Sequence, residues 1–401
     1  MTVPDAPSSS SPSSPRSSQP HRSASLSAIL LILTMAFGIW QLFGAGREVA
    51  GVKADANEIR SGRASAALEK QLNAKLPARD SLIGIANGLR YLLLRGANSQ
   101  VRVGRDNWLF LSDEMQPHAA AQANLAARVN LMAQVSRQMQ KDGVTLVILL
   151  VPDKVRLYPQ HAWWATHEHA RYALALHSLA QQQVYTVDPL PALQQAASHA
   201  VYYHSDTHWN QRGAQIAAQQ VALQLTQMMP RIASQTPGSA AIQPPLPGKP
   251  GLPWDATEFE LHPSGPQQER AGDLLRLMGL EHSPNWLRPL PDRETPLQIK
   301  QTSADAPAGL LDDVTVPVVL TGTSYSLRGQ FHGFLQQALH AKILNAAKDG
   351  AGFIQSTQAY LADDAYQSGK PKLVIWEVPE RFLTAPLEGE VAWQKQLAAK
   401  R

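Results

Sequence analysis

Four short, intensely apolar runs limit the fold more than any other feature of the chain: Val144–Val151 (VTLVILLV), Val184–Val187, Val316–Leu320 (VPVVL) and Leu373–Val378 (LVIWEV). A strand with one wet face alternates apolar and polar residues, whereas a strand covered on both faces has no reason to alternate. Runs of this length and β-prone composition, bounded by Gly, Pro or Asp, predict parallel strands with helices on either side. Helical patterns at about 121–141, 168–182, 210–229 and 327–341 supply the crossovers. The expectation is an α/β domain with a doubly wound, mostly parallel sheet, spanning 101–401. A Pro- and Gly-dense stretch, Thr236–Trp254, opens an insertion to about residue 310, expected to run over the surface and cover the site.

The first hundred residues read differently. Residues 1–25 are mostly Ser and Pro with Arg16 and Arg22, a composition with too little to bury, and predict a disordered tail. Leu26–Gly46 carries no charge across 21 residues, which as a helix is about 31 Å and matches one bilayer core. No A-x-A cleavage site follows, so an uncleaved anchor is expected rather than a signal peptide. The arginines before the span place the N-terminus in the cytoplasm and the remainder in the periplasm, a single-pass inner-membrane topology. Residues 47–100 predict a helical stalk, divided by Pro77 into two amphipathic helices, the second with Leu82, Ile83, Ile85, Ala86, Leu89, Leu92 and Leu93 on its apolar side.

Composition removes several function classes. Without cysteine there is no disulfide framework, thiol catalysis or Cys-ligated metal. A net charge of only +4 gives no basic face for nucleic acid.

Two segments carry chemistry. Tyr202-Tyr203-His204-Ser205-Asp206-Thr207-His208-Trp209-Asn210 ends where a helix begins, with Asn210 as its N-cap. In an extended segment His204, Asp206 and His208 would share one face. Gly322-Thr323-Ser324-Tyr325-Ser326 follows the third apolar run, so Ser324 falls at the carboxyl end of a parallel strand, where open α/β sheets place their sites. A helix start behind it would aim N–H groups at an oxyanion. Together they predict nucleophilic catalysis: Ser324 attacks an acyl carbonyl, His208 takes its proton and Asp206 stabilises the imidazolium. The residues alone leave other readings open, since a turn serine with a loop-bracing Asp/His pair, or a His204/Asp206/His208 metal site, fits the same spacing. His167-Glu168-His169 is a second histidine cluster, but adjacent residues on a helix point apart, and a solvated face is expected.

At this point the sequence resembles the periplasmic alginate O-acetyltransferases of the AlgJ/AlgX type and their relatives in acetylation of other exopolysaccharides such as cellulose. Five short motifs carry the resemblance in order: Gly104-Arg105-Asp106-Asn107-Trp108-Leu109-Phe110; Val151-Pro152-Asp153-Lys154 with Tyr158-Pro159; Asp206-Thr207-His208-Trp209; Gly322-Thr323-Ser324-Tyr325-Ser326; and Trp376-Glu377 with Arg381. The resemblance implies an SGNH-hydrolase-like domain, circularly permuted because Asp and His precede Ser, with Asp206, His208 and Ser324 as its catalytic triad. It makes His204 a neighbour of the site and leaves no metal or other cofactor to be held. It also implies an exopolysaccharide acceptor and an integral-membrane acyltransferase that delivers acetyl groups, with a polysaccharide acetyl esterase or an inert scaffold of a secretion complex as alternatives. Tyr325, Gly322, Trp209, Arg381 and Lys154 are candidates for substrate or oxyanion contacts. Glu377 and Arg381 are expected to pair at the sheet's end, and Asp153 and Lys154 either to line the site or to brace its loop. Some members continue into a C-terminal carbohydrate-binding module; this chain ends about twenty residues after Arg381, so polymer contact is expected from the catalytic face or a partner.

Overall fold

The computed structural model describes residues 79–164, 170–235, 254, 256–303 and 316–399. The Ser/Pro tail, the membrane span, the first stalk helix with Pro77, His167–His169 and almost all of Thr236–Trp254 lie outside the described residues. Among the described residues no helix is long and apolar enough to cross a membrane. The chain divides into two units, 1–83 and 84–401, the first described only where it opens a helix.

In chain order the elements are α1 (Arg79–Leu94), β1 (Val101–Val103), β2 (Leu109–Leu111), α2 (Ala121–Lys141), β3 (Thr145–Val151), α3 (Lys154–Leu157), α4 (Ala170–Gln181), β4 (Tyr185–Val187), α5 (Leu190–Ala196) and α6 (Gln211–Gln235). There follow β5 (Phe259–Pro263), β6 (Gln268–Arg270), α7 (Asp273–Leu277), β7 (Asp292–Glu294), β8 (Leu297–Gln301), β9 (Val318–Thr321), α8 (Phe331–Leu339), β10 (Ile343–Asn345), α9 (Gln355–Ala362), α10 (Asp364–Ser368), β11 (Leu373–Pro379) and α11 (Glu390–Ala399).

The four apolar runs become β3, β4, β9 and β11, which with β10 form a five-stranded sheet in the order β10-β9-β11-β3-β4, parallel throughout. Strand alternation divides their side chains between two cores. Val147, Leu149, Val151, Leu320 and Ile375 meet α6 and α8 on one face; Leu146, Ile148, Leu150, Val374 and Trp376 meet α2, α4 and α11 on the other. Both faces are thus dry, which is why the runs need no polar alternation. β10, with only Ile343 buried and Leu344 exposed, is too short and too wet to stand out in the sequence.

α1 forms as its periodicity predicts but buries another side. Ile85, Leu89, Leu92 and Leu93 are exposed, and the inward positions are Gly84, Gly88 and Tyr91. A Cβ on Gly88 would stand 2.9 Å from Leu287, so the absence of a side chain lets this helix lie against the turn after α7. The insertion is built rather than loose where it is described: β5 pairs with β8, and β6 with β7, all antiparallel. The β6–β7 arm and α7 reach the carboxyl end of the central sheet.

Candidate active site

Ser324, Asp206 and His208, drawn from two distant stretches of chain, come together above the carboxyl end of β9. His208 Nε2 lies 2.7 Å from Ser324 Oγ, and His208 Nδ1 lies 2.6 Å from Asp206 Oδ1. All three are buried, Ser324 the least at 8% exposure. Their loop is not the extended segment that the alternation of His204, Asp206 and His208 suggested. It bends back on itself, closed by a bridge between Tyr202 and Trp209 and by the Tyr203 N–H donating to the His208 carbonyl. The bend turns His204 outward to Asp292, 3.3 Å away, so the three-ligand set is not assembled. Asn210 caps α6 as expected, its side chain accepting from the Gly213 N–H.

Ser324 opens a 3-10 turn, Ser324–Leu327, rather than the α-helix expected behind it; α8 starts only at Phe331. The turn is held from below by Glu377, the one charge in the apolar β11. Glu377 accepts from the Thr323 N–H at 2.7 Å, from the Thr323 hydroxyl and from the Ser326 hydroxyl at 3.0 Å. Burial raises its carboxyl above the ordinary range against these bonds. Gly322 sits at φ +146, and a Cβ there would stand 2.6 Å from Glu377, so glycine is required both by conformation and by the brace beneath it. Its N–H donates to Ser356 Oγ at 2.9 Å, which removes it as an oxyanion donor.

The other candidates for substrate contact are internal supports. Tyr325 and Trp209 are fully buried. The Tyr325 hydroxyl donates to the Thr207 carbonyl at 2.8 Å, its ring packs edge-on to His208, and Trp209 Nε1 donates back to the Tyr325 carbonyl, so the two motifs interlock. Arg381 lies with its guanidinium carbon 5.5 Å from the Tyr325 ring centre rather than paired with Glu377. Lys154 is buried, and its ammonium donates to the carbonyls of Leu109, His204 and Asp206 at 2.6, 2.9 and 3.0 Å. Burial pulls that ammonium down to about 8. Lys154 therefore ties the β2 strand to the loop that carries Asp206, while Asp153 pairs with Arg171 instead. Trp108 and Trp376 are buried packing residues.

Two residues of the site were not visible in the sequence. Arg270 Nη1 donates to Asp206 Oδ2 at 2.8 Å, and the Asp273 N–H donates to the same oxygen at 3.1 Å. Burial alone would raise the Asp206 carboxyl, but the bond from His208 and the charges of His208 and Arg270 outweigh it and hold Asp206 well below the usual carboxylate range. Asp273 also takes the Thr207 hydroxyl and N–H. The arm that brings them approaches closely: a Cβ on Gly272 would stand 2.0 Å from the Ser205 carbonyl oxygen. A lone Arg-Ala-Gly-Asp in a Pro-rich stretch has no period or spacing to mark it. Asp206, His208 and Asp273 are grouped closely enough to be considered as metal ligands, but Asp206 and His208 spend their facing atoms on each other and on Ser324.

The arrangement can activate a serine for acyl transfer. Comparison with known proteins agrees in kind. A family model described as "SGNH hydrolase-like domain, acetyltransferase AlgX" matches residues 101–249 and 239–380. The chain is similar to the Azotobacter vinelandii protein named "Probable alginate O-acetylase AlgJ", 32% identical over 91% of this chain and 90% of that one. It is 31% identical to the protein of the same name from Pseudomonas fluorescens, over 92% and 90% of the two chains. Among solved structures it resembles the "O-Acetyltransferase Domain of Pseudomonas putida AlgJ", 29% identical with a TM-score of 0.61, covering 75% of this chain and 99% of that one.

Proposed function

This chain belongs to the family of SGNH hydrolase-like acetyltransferases of the AlgX type, and from that membership we propose that it transfers acetyl groups to hydroxyls of an alginate-type polysaccharide through an acetyl-Ser324 intermediate. The observation that carries the mechanism is the continuous relay from Ser324 Oγ through His208 to Asp206, at 2.7 and 2.6 Å. His208 Nε2 takes the serine proton as Oγ attacks the acetyl carbonyl, and Asp206 stabilises the imidazolium that forms. The Ser324 N–H, at the start of the 3-10 turn where no intrahelical acceptor exists, is the donor for the developing oxyanion. Collapse expels the donor's leaving group with the proton from His208. A sugar hydroxyl then gives its proton to His208 and attacks the acetyl-serine, which restores Ser324 and forms the acetyl ester.

Leu26–Gly46 is assigned in this reading as an inner-membrane anchor with the catalytic domain in the periplasm. Acetyl-CoA is not periplasmic, so the donor is an integral-membrane acyltransferase that hands over the acetyl group. Alginate is chosen as the polymer because the relatives are named for it. The test is intact mass of the protein after brief exposure to an activated acetyl ester, for wild type and Ser324→Ala side by side. The expected result is one added acetyl mass in the wild type only, discharged faster by alginate oligosaccharides than by water. Discharge by water alone would make the protein an esterase, and turnover retained in Ser324→Ala would overturn the mechanism.

A further inference from the structure

We propose that α1 lies on the membrane surface, with the apolar stripe that it turns away from the domain set among lipid chains and its arginines at anionic headgroups. The proposal rests on reading Leu26–Gly46 as a membrane anchor.

From Gly84 onward the helix packs on the domain through its small and polar positions and leaves its leucines outside. Gly84, Gly88 and Tyr91 are buried, at spacings of four and three. Ile85, Leu89, Leu92 and Leu93 recur at spacings of four, three and one, which gathers them into one outward stripe within an arc of about 100°. All four are exposed, Leu93 at 76%, and Leu94 ends the helix at 74%. The turn against the helix extends this surface: Leu287, which meets Gly88, is preceded by Trp286 at 69% exposure and followed by Leu290 at 70%. Single apolar residues scattered on a surface need no explanation, but a helix face together with its neighbouring turn does.

Charge and position in the chain choose the occupant. Between Gly84 and Arg105 the sequence carries four arginines and no acidic residue. Arg90 borders the stripe and Arg95 follows its last leucine, both exposed, while Glu281 in the segment after α7 is met by Arg276 at 3.0 Å. A second copy docked through the same face would set those guanidiniums against one another, whereas anionic headgroups neutralise them. Trp286 is the residue type that settles between headgroups and chains. The chain also delivers this face to a bilayer. Gly46 and Arg79 are separated by 32 residues, at most about 110 Å when fully extended, so a weak surface affinity acts at high effective concentration.

Docking of α1 fixes where Ser324 stands. The five-residue α7, with a rise of about 7–8 Å, joins the two places. At its start the Asp273 N–H donates to Asp206, and just past its end the Met278 carbonyl accepts from the Asn87 side chain of α1 at 2.8 Å. A bilayer under α1 thus holds the Ser324 site near the membrane, where acetyl groups leave a membrane-embedded donor.

Because the chain has no cysteine, a single one can carry a probe. The test is the full-length chain in vesicles of phosphatidylethanolamine and phosphatidylglycerol, with a fluorophore at Leu93→Cys or, as a control on exposed α6 surface, at Leu223→Cys. The label at 93 is expected to be quenched several-fold more by nitroxide on the lipid chains than by iodide in the water, and the label at 223 the reverse. Adding Leu89→Glu is expected to bring the label at 93 within reach of iodide, with a melting temperature like that of the wild type. A label that stays lipid-quenched in that variant is held there by the tether alone and would overturn the proposal. Access to iodide at 93 without Leu89→Glu would overturn it as well, and so would protection from both quenchers, which would mean that a protein surface covers the face. Failure of the anchor reading is separate: the Leu89→Glu chain would then no longer float with the vesicles, whereas an anchored chain floats with its label in water.

Discussion

A serine hydroxyl is a poor nucleophile until a neighbour takes its proton, and His208 is aimed at Ser324 only while its Nδ1 side is held by Asp206. Asp206→Asn keeps the volume but removes the charge behind the imidazole, and with its oxygen on His208 its NH2 meets two donors, the Arg270 guanidinium and the Asp273 N–H. Acetylation of Ser324, followed by mass in a single turnover, is expected to slow by roughly 10³- to 10⁴-fold, in a protein that also melts lower because Arg270 and the Asp273 N–H lose their carboxylate. A slowing under tenfold would mean that Asp206 only braces the loop. These three residues were legible because each lies in a short motif next to an unmistakable strand or helix start. Arg270 and Asp273 were not, because polar residues in an irregular stretch follow no period, and only folding shows that Gly272 lets them reach Ser205. Gly322, Tyr325, Trp209 and Lys154 lie beside Ser324, His208 and Asp206, but whether a side chain faces substrate or supports the loop is fixed by packing from other elements.

At the scale of elements the sheet was readable and the helix faces less so. β3 and β11 declare themselves because both of their faces are dry, and α6 because Asn210 caps it. The leucines of α1 give a true helical period, yet the close approach at Gly84 and Gly88 chooses the opposite face, and a hydropathy pattern gives no weight to glycine. The anomaly inside a strand proved the more useful signal. Glu377 interrupts LVIWEV, and a buried carboxylate in an apolar strand needs partners; it finds them in the turn that carries Ser324. Glu377→Ala leaves the Thr323 N–H and two hydroxyls buried without acceptors. The expected cost is about 2–4 kcal/mol in chemical unfolding, together with loss of Ser324 acetylation even in the folded fraction. Glu377→Gln, which keeps an acceptor oxygen, is expected to recover part of both. Wild-type stability in Glu377→Ala would show that water or another group replaces the brace.

The whole molecule concentrates charge where its strands end. Behind Tyr325, Arg171 bonds both Asp153 and Glu380, Arg156 bonds Glu380, and the Arg381 N–H donates to Asp153, while Glu114 accepts from the Val155 N–H. The cluster fastens α4 and the segment after β11 to the end of β3, so the scaffold under Ser324, His208 and Asp206 is held by buried polar bonds as well as by its two apolar cores. Burial pushes the Glu114 carboxyl from an ordinary 4.5 up to about 7, against the pull of Arg381, the Val155 N–H, Lys154 and Arg171. One of its oxygens, Oε1, has no hydrogen-bond partner among the described residues. Between those two pH values the folded chain keeps a proton that the unfolded chain has lost. Stability from this group is therefore present in full below about pH 4.5 and is lost as pH rises through about 7, by on the order of 3 kcal/mol. Glu114→Gln preserves an acceptor for Val155 and removes the titration. Chemical unfolding at pH 5 and pH 8 is expected to show the wild type losing stability across that interval and the variant losing clearly less, with the variant the more stable of the two at pH 8. Asp153, raised in the same direction by burial and by Glu380, keeps some slope in the variant. Equal slopes in the two proteins would show that Glu114 stays ionised in the fold, its charge met by Arg381 across the cluster.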